Sequence, residues 1–361
     1  MIGSDVANVS NVSNVSNVSG SNVSGPNVSG PNVSVSNVPG PNVSVSNVSV
    51  SNVSVSNVPG AGEKLNILWL WPDILNQHGD RGNAMALVRV CGLYGIEAVI
   101  ARVNRLTDEL PIETADIILV GAGELAVMPQ IVGALSKIAI PLAARAESGG
   151  ILFATGASGA ALGVRTVRTD GSYIFGLGLL DMECRERETV LGDDLIFDVD
   201  MDDGADGGAS GGTDGGSGGT TDGGADGTTD DGAGGGANDS ACGGTGDAGG
   251  GANTVFGIQI QMMDISLAAG QKPLGKLAYG YGNNGGEYEG AQHGGVIFTN
   301  ALGPVLVKNP WLTLSLIRMA LKRRLPDKIT DTLRFDPKLF ELELASAKAI
   351  RAFNQTKEKP K

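Results

Sequence analysis

Two low-complexity stretches decide how much of this chain can fold. Residues 6–62 are almost wholly Asn, Val, Ser, Gly and Pro without a charge, and residues 201–253 are mainly Gly, Asp, Ala and Thr. Such compositions bury too little apolar surface to offset the chain entropy that folding costs. The foldable sequence is therefore 63–200 and 254–361, which is about one domain's worth.

The same stretches set the expected domain plan. The first 62 residues repeat Asn-Val-Ser, a period far shorter than the roughly 20 residues of a solenoid unit, and we expect residues 1–62 to form a disordered tail. One domain is expected over 63–355, with a disordered Gly/Asp-rich insert at 201–253 and a short tail at 356–361. An insert of this kind suits a loop between strands, because folds tolerate extra chain there.

Charge and cysteine content argue against several functional classes. The net charge is −13, but the ten Asp of the insert account for most of it, so no basic surface for nucleic acid is expected. Cys91, Cys184 and Cys242 lack the spacing of a metal site, and their odd number argues against a disulfide framework. With only two histidines in the chain, we expect neither a metal ion nor another cofactor.

Hydrophobic segments bear on location. The chain has no uninterrupted apolar run of the roughly 18–20 residues that span a bilayer. Its first residues have neither the basic region nor the apolar core of a secretory signal, so the Asn-Val-Ser triplets are not expected to be glycosylated. We therefore expect a cytoplasmic protein without a membrane span.

Apolar runs of strand length alternate with helical patterns in the first half of the foldable sequence. Helical spacing over 83–94 places Cys91 in the core. The alternation predicts an α/β fold with a parallel sheet flanked by helices, in which ligands bind at the carboxyl ends of the strands. The predicted strands are 65–71, 96–103, 116–123 and 151–156, and further helices are predicted from 124 to 137 and over 158–162.

The second half is expected to be richer in β-structure. An amphipathic helix is predicted over 311–325 with the basic Lys322-Arg-Arg at its end, where positive charge favours the helix dipole. A charged helical tail is predicted to reach Phe353. The predicted strands are 173–180, 189–199, 256–260 and 274–281.

Two glycine-rich turns offer chemistry at the carboxyl edge of the predicted sheet. Gly121-Ala-Gly-Glu-Leu-Ala126 has the GxGxxA spacing of a dinucleotide fingerprint, although it does not follow the first strand and lacks the acidic residue about 20 positions on. Gly156-Ala-Ser158-Gly-Ala160 is close to GxSxG, the turn that exposes a serine nucleophile. Its base would have to be His78 or His293, and the alternative is that Ser158 caps a helix.

An ordered series of motifs gives the most specific signal. Leu70-Trp-Pro-Asp-Ile-Leu-Asn-Gln-His-Gly-Asp-Arg-Gly-Asn83 resembles the opening of the GatD family, the glutamine amidotransferase-like subunits of lipid II isoglutaminyl synthases. The resemblance covers about residues 65–355, interrupted by the insert. The segments that follow in family order are Gly121-Ala-Gly-Glu124, Gly176-Leu-Gly-Leu-Leu-Asp181, Lys272-Pro-Leu-Gly275, Gly280-Tyr-Gly-Asn-Asn284, Glu289-Gly290, Gly303-Pro304 and Lys308-Asn-Pro310.

This resemblance implies a fold, a ligand and a partner. Family members are CobB/CobQ-like class I glutamine amidotransferases with a flavodoxin-like parallel sheet flanked by helices. In the family, this subunit hydrolyses glutamine and supplies the ammonia to MurT, a Mur-ligase-like subunit. MurT uses the ammonia to amidate the α-carboxylate of D-Glu in the lipid II stem peptide. The resemblance therefore implies glutamine as a ligand and a MurT-like Mur ligase subunit as a partner.

The residues that perform this chemistry in the family are replaced here. The family nucleophile is the Cys of V-C-G-G-Y-Q-L-L-G, and aligning the motif on Leu162-Gly163 puts Gly156 at that position. The family base is the His of T-Y-L-H-G-P, and here the segment reads T-N-A-L-G-P with Leu302 in its place. A family arginine that holds glutamine lies just after the GLGLLD segment, where Arg187 is the nearest counterpart and Arg185 its rival.

Three functional hypotheses follow. Glutamine hydrolysis by this route needs a thiolate nucleophile and an imidazole that moves the proton, and Gly and Leu supply neither. The resemblance combined with this loss favours a scaffold or regulatory pseudoenzyme, whose turn would still offer backbone N–H groups to a carbonyl oxygen. The alternatives are a glutaminase subunit that works through Ser158 or Cys184, and a nucleotide-binding α/β protein at Gly121–Gly123.

Overall fold

Strands and helices alternate along the residues that the computed structural model describes, which are 60, 62–199, 253–325 and 333–356. The strands are β1 (Lys64–Leu70), β2 (Glu97–Val103), β3 (Ile117–Val120), β4 (Ile151–Thr155), β5 (Arg165–Val167), β6 (Tyr173–Phe175), β7 (Met182–Val199), β8 (Thr254–Leu267), β9 (Gly275–Tyr279), β10 (Tyr288–Glu289), β11 (Ala291–His293), β12 (Val296–Thr299) and β13 (Ala301–Leu302). The helices are α1 (Arg81–Leu93), α2 (Met128–Leu135), α3 (Ala139–Glu147), α4 (Gly159–Leu162), α5 (Val305–Lys308), α6 (Pro310–Lys322) and α7 (Glu341–Gln355).

Some predictions lie outside the described residues. These are the disordered tail, except Gly60 and Gly62, and the disordered insert, except Asn253. Cys242 and residues 357–361 also lie outside them.

A six-stranded sheet in the order β11-β12-β4-β3-β1-β2 positions the candidate site. Within it, β1, β2, β3, β4 and β12 run parallel, while β11 at one edge is antiparallel to β12. Ile118 of β3 pairs with Leu68 of β1 and with Leu152 of β4, so the carboxyl ends of these strands meet at one edge. The prediction of an α/β fold with a parallel sheet flanked by helices is confirmed.

Helices cover both faces of this sheet, which explains why its inner strands β3, β4 and β12 are buried along their whole length. Successive side chains of a strand point to opposite faces. Leu68 and Leu70 pack in one cluster with residues of α2 and α3, whereas Ile67 and Trp69 pack in another with residues of α1 and α6. Each such burial stabilises the fold by about 1.5–3 kcal/mol, and burial on two faces is typical of parallel sheets.

The second half forms a mixed sheet around two long strands. β7 has 18 residues and β8 has 14, and the two pair antiparallel with Asp198 opposite Thr254. The Gly/Asp-rich insert lies in the chain between the paired ends of these two strands. The prediction of a β-rich second half is confirmed.

Three predicted strand limits in this half are wrong. The strand predicted at 173–180 ends at Phe175, and the chain then turns through Gly178, which has φ of +65°. The strand predicted at 189–199 begins at Met182, because charged residues that alternate with buried ones at its start hide a half-buried strand. The strand predicted at 256–260 continues to Leu267, because the polar Gln261, Asp264 and Ser266 interrupt its apolar pattern.

The helical stretch Leu125–Glu147 differs from the single helix predicted to end at Lys137. Two 3-10 turns, at Leu125–Val127 and Ser136–Ile138, alternate in it with α2 and α3. Among the described residues, this stretch alone is long and apolar enough to cross a membrane, whereas the sequence predicted no membrane span. Met128, Ile131, Ala134 and Leu135 lie on one face of this stretch and pack in the core.

Candidate functional site

The candidate site begins at the turn that follows β4. Gly156 has φ of +58°, in the left-handed region that favours glycine. The 3-10 turn Gly156–Ser158 follows, and then α4. A strand, a sharp turn with positive φ and a helix have the geometry of a nucleophile elbow. The turn lies at the carboxyl edge of the parallel sheet, where ligands of such folds bind.

Leu302 lies directly against this turn. A Cβ atom built on Gly156 would lie 3.2 Å from Cδ2 of Leu302 and 3.0 Å from Cβ of Ala122. Leu302 reaches the turn on β13, which pairs with β8 at Ile258. The structure thus brings together the two positions that the resemblance assigns to the family's nucleophile and base. The groups that meet there are aliphatic, and they neither ionise nor transfer a proton.

Ser158 is held by a backbone bond and faces no base. Its hydroxyl is fully buried and donates a hydrogen bond to the carbonyl oxygen of Gly121 at 2.5 Å. Its backbone is helical and its side chain makes no capping bond, so the prediction of a helix cap is wrong. The bond instead ties the turn at Gly156 to the turn at Gly121.

Of the two histidines, His293 lies far from this turn and His78 is exposed to solvent. His293 on β11 pairs with Val296, which pairs with Leu152 near the start of β4. Gly156 follows the other end of β4, about four residues or 13 Å along the strand from Leu152. His78 is exposed in a 3-10 turn that precedes α1. Across the described parts of the chain, no three His, Cys, Asp or Glu residues gather as metal ligands would.

Both described cysteines are buried thiols. Cys91 packs in the core on α1, as predicted, and burial raises its pKa to about 12. Cys184 on β7 lies between Thr166 of β5 and Ile265 of β8, and burial raises its pKa to about 12 as well. The thiolate is the nucleophilic form, and these thiols carry almost none at neutral pH. The alternative of Cys184 as a nucleophile therefore has no support in the structure.

Arg187, the counterpart of the glutamine-holding arginine, is engaged within the second sheet. Its Nη1 donates to Oδ1 of Asp264 at 2.5 Å and to the Tyr281 hydroxyl at 3.0 Å. The bond to Asp264 raises the pKa of Arg187, and the guanidinium also lies 4.8 Å from the centre of the Tyr281 ring. Its rival Arg185 is exposed on β7, opposite Asp264 of β8. None of these contacts joins either arginine to the Gly156 turn.

The glycines of the Gly121 turn make room for the protein's own chain. A Cβ atom on Gly121 would collide with the carbonyl oxygen of Leu75 and lie 2.9 Å from Cβ of Asp80. A Cβ atom on Gly123 would lie 2.5 Å from the Leu75 side chain. In a dinucleotide fingerprint, the glycines instead let the pyrophosphate approach. The loop before α1 occupies that space here, which argues against the nucleotide-binding alternative.

Asp80 is the site residue that sequence reasoning missed. It is 5% exposed, and its carboxyl accepts hydrogen bonds from the Thr155 hydroxyl at 2.9 Å, the Asn83 side-chain amide at 3.3 Å and the Ala122 N–H at 3.0 Å. Burial raises the pKa of Asp80 from 3.8 to about 7, although these bonds lower it. A cavity of about 10 Å³, which is the room one water molecule needs, lies beside it. Its only sequence signal is its place in the Gly79-Asp-Arg-Gly-Asn83 motif.

A second buried carboxyl, Glu289, supports the segment that carries Leu302. It accepts hydrogen bonds from the Thr299 hydroxyl at 2.8 Å, from the Asn300 N–H at 2.6 Å and from the Asn300 side chain at 3.1 Å. Burial raises the pKa of Glu289. These bonds hold the backbone two to three residues before Leu302. The short motif Glu289-Gly290 was the signal for this residue, but it indicated no role.

Comparison with known proteins finds distant relatives. No family model matches the chain. The chain is similar to subunit GatD of the glutamine-hydrolysing lipid II isoglutaminyl synthase of Staphylococcus aureus (strain N315), with 28% identity over 139 residues. The match covers 38% of this chain and 56% of that protein, so it spans little more than half of the relative's length. The chain therefore has a distant similarity to GatD.

Two solved structures of glutamine amidotransferases and one of PurLQS are also similar to this chain at low identity. One covers 70% of this chain and 98% of its own, with a TM-score of 0.40 and 16% identity. PurLQS from Thermotoga maritima covers 73% of this chain and 98% of its own, with a TM-score of 0.39 and 11% identity. A glutamine amidotransferase from the same organism covers 80% of this chain and 94% of its own, with a TM-score of 0.38 and 10% identity. The strand order and registers themselves define the fold.

Proposed function

We propose that this protein is a GatD-like subunit of the glutamine amidotransferase type that does not hydrolyse glutamine. Its role would be that of a cytoplasmic scaffold or regulatory subunit of a MurT-like ligase. The observation that carries the proposal is the pair Gly156 and Leu302, which lie against each other at a turn with the shape of a nucleophile elbow.

The register of the two positions supports the proposal. Gly156 and Leu302 were matched to the family's nucleophile and base through two separate motifs. Two positions matched independently would not be expected to meet in an unrelated fold. A Cβ atom built on Gly156 would lie 3.2 Å from Cδ2 of Leu302, and this close approach supports the alignment and hence the family relationship.

The lack of reacting groups supports a binding role. A subunit that has neither thiolate nor imidazole at the elbow releases no ammonia by the family's route. Recognition of a partner needs neither group, because it depends on the surface around the site. The motifs that flank the two altered positions, such as Gly303-Pro304 and Lys308-Asn-Pro310, are retained, which is the pattern that a binding role requires.

Ammonia release from glutamine tests the loss of hydrolysis. The full-length protein, alone and with a MurT-like ligase, should release no more ammonia than a blank without protein. Gly156→Cys combined with Leu302→His should release ammonia, because it restores a thiol and an imidazole at adjacent positions. The matched control, Gly156→Ala combined with Leu302→His, supplies the imidazole without the thiol and should stay silent.

Two results would contradict this part of the proposal. Hydrolysis by the native protein would show an unorthodox nucleophile, and Ser158 and Cys184 would then be substituted next. If a folded Gly156→Cys, Leu302→His protein releases no ammonia, the register of these two positions is wrong.

Binding to the ligase tests the scaffold role. Light scattering of the full-length protein mixed with a MurT-like ligase should show a complex, and absence of a complex would remove the proposed role. Amidation of lipid II by the ligase with free ammonium, measured with and without the protein, distinguishes the two forms of the role. A passive scaffold leaves the rate unchanged, and a regulator changes it.

A further inference from the structure

We infer that Asp80 is the positioning residue of the candidate site: its carboxyl holds the Gly121–Gly123 turn against the Gly156 turn, and its neutralisation weakens binding of an amide ligand there. The choice of an amide as the ligand rests on the proposed function, because the GatD-like family assigned there implies glutamine as its ligand. The positioning itself rests on contacts within this chain.

The carboxyl of Asp80 joins the ends of two neighbouring strands. Its Oδ2 accepts the N–H of Ala122, just after β3, and its Oδ1 accepts the hydroxyl of Thr155, the last residue of β4. The carbonyl oxygen of Ala122 in turn accepts the N–H of Gln77 at 3.0 Å. The loop before α1 therefore holds Ala122 through both its N–H and its carbonyl group, and the same carboxyl holds the residue next to Gly156.

Ala122 limits the space available for a side chain or ligand at Gly156. A Cβ atom at position 156 would lie 3.0 Å from Cβ of Ala122, which is closer than the roughly 3.5–4.0 Å at which carbon atoms attract each other. A shift of Ala122 by a few tenths of an ångström therefore changes whether a side chain or ligand fits at this turn. Asp80 acts on the site through Ala122, which is why it is a positioning residue.

No charged side chain faces the carboxyl of Asp80 from the elements packed around its cavity. Those elements present Trp69 from β1, Leu119 from β3, Phe153 from β4 and Asn83 from α1. Its charged or titratable neighbours in the chain, His78 and Arg81, are exposed. Desolvation without a cation raises the pKa of Asp80 to about 7. The strength of its bond to Ala122 should therefore change near neutral pH, because a carboxylate is the stronger acceptor.

The Ala122 amide reports this bond in the absence of any ligand. In the full-length protein labelled with nitrogen-15 alanine, its amide proton should move downfield as the pH rises, with a midpoint near 7. Asp80→Asn should abolish this titration. The matched control Asp73→Asn removes an exposed carboxyl of the same loop, 3.7 Å from Arg102, and should leave the titration unchanged. An Ala122 amide that does not titrate, or that titrates equally in Asp80→Asn, would overturn the inference.

The effect on the ligand is measured in the variant with Gly156→Cys and Leu302→His. In that background, Asp80→Asn should raise the KM for glutamine about tenfold, the loss expected for one charge-assisted hydrogen bond, with a smaller change in kcat. Asp73→Asn should change neither constant. If the double variant is active and Asp80→Asn changes neither constant, the inference is wrong while the proposed function stands. If the double variant is inactive, the proposed function fails, and the Ala122 titration still decides whether Asp80 holds the turn.

Discussion

One buried aspartate lies at each end of the parallel strands, and the two carboxyls differ in the charge of their partners. Asp116 at the amino edge is 1% exposed and has Arg323, Arg324 and Arg145 within 3.0, 3.3 and 3.8 Å. Asp80 at the carboxyl edge is nearly as buried, but its bonds come from a hydroxyl and two amides. The same residue type in the same sheet thus has charged partners at one edge and neutral partners at the other.

The difference separates a structural carboxyl from one that belongs to a site. Taking a carboxylate out of water costs several kcal/mol unless charged partners offset the loss. Three guanidiniums offset it for Asp116. Neutral donors offset it only in part for Asp80, and desolvation raises the pKa of Asp80 to about 7. Because such perturbed groups cluster at functional sites, the carboxyl edge has the character of a site and the amino edge that of a scaffold.

Removal of Asp116 should have the largest effect on stability. Asp116→Ala leaves three guanidiniums that face one another, and breaking a buried ion pair in this way costs about 3–5 kcal/mol of unfolding free energy. Urea unfolding followed by tryptophan fluorescence measures the loss. The control Glu97→Ala removes an exposed partner of Lys64 at 3.6 Å and should cost less than about 1 kcal/mol. Similar small losses in both variants would remove the contrast between the two edges.

The pH dependence of stability should distinguish Asp80. Its pKa is about 7 in the folded protein and 3.8 in the unfolded chain, so the folded state binds the proton more tightly. That stabilisation is complete below pH 4 and is lost as the pH rises through 7, a decrease of about 3 kcal/mol between pH 5 and pH 8.

Urea unfolding at the two pH values checks this expectation. The free energy of unfolding of Asp80→Asn, relative to that of the native protein, should rise by about 3 kcal/mol between pH 5 and pH 8, because the variant lacks the ionising group. Asp73→Asn, which alters an exposed carboxyl, should follow the native protein at both values. Equal pH slopes for Asp80→Asn and the native protein would mean that Asp80 has an ordinary pKa.

The glycines at the two ends of β4 provide the test with the smallest expected effect. Gly149 precedes the strand with φ of +89°, and Gly156 follows it with φ of +58°. A Cβ atom on Gly149 would approach only Arg323, at 3.4 Å, whereas one on Gly156 would meet Ala122 and Leu302 at 3.0 and 3.2 Å. We expect Gly149→Ala to cost about 1 kcal/mol from backbone strain alone and Gly156→Ala about 2 kcal/mol, measured by urea unfolding.

A double-mutant cycle with Leu302→Ala isolates the crowding at Gly156. Removal of the leucine side chain should reduce the cost of Gly156→Ala and leave that of Gly149→Ala unchanged. Residues in contact couple by about 0.5–3 kcal/mol, and distant residues add independently. Zero coupling between positions 156 and 302 would contradict their contact.

Four strands of the first sheet could be predicted from the sequence, whereas its strands β11 and β12 were missed and the second sheet was predicted only in part. β3 and β4 are buried on both faces, so each is an apolar run that leads directly into a glycine turn. β7 is buried on one face over its first residues, where Glu183 and Arg185 alternate with Cys184. Such a pattern becomes a recognisable strand only when its partner β8 is known, and β8 lies beyond the insert.

The site divides in the same way. Gly156 and Leu302 could be singled out because motifs surround them. Asp80 could not be given a role, because its partners Thr155 and Ala122 lie far away in the sequence. Its pKa depends on how completely these segments exclude water, which no local pattern records.

The sequence by itself determined the chemical groups available at each position. It placed a glycine at position 156 and a leucine at position 302, the position that the resemblance assigns to the base, because the identity of a side chain needs no fold to be known. Only the tertiary structure decided which groups meet. Folding packs Leu302 against Gly156, brings the Ser158 hydroxyl into a hydrogen bond with the Gly121 carbonyl oxygen, and buries Asp80 among neutral donors. Burial and desolvation arise from segments that are distant in the chain and adjacent in space, so they exist only once the chain has folded.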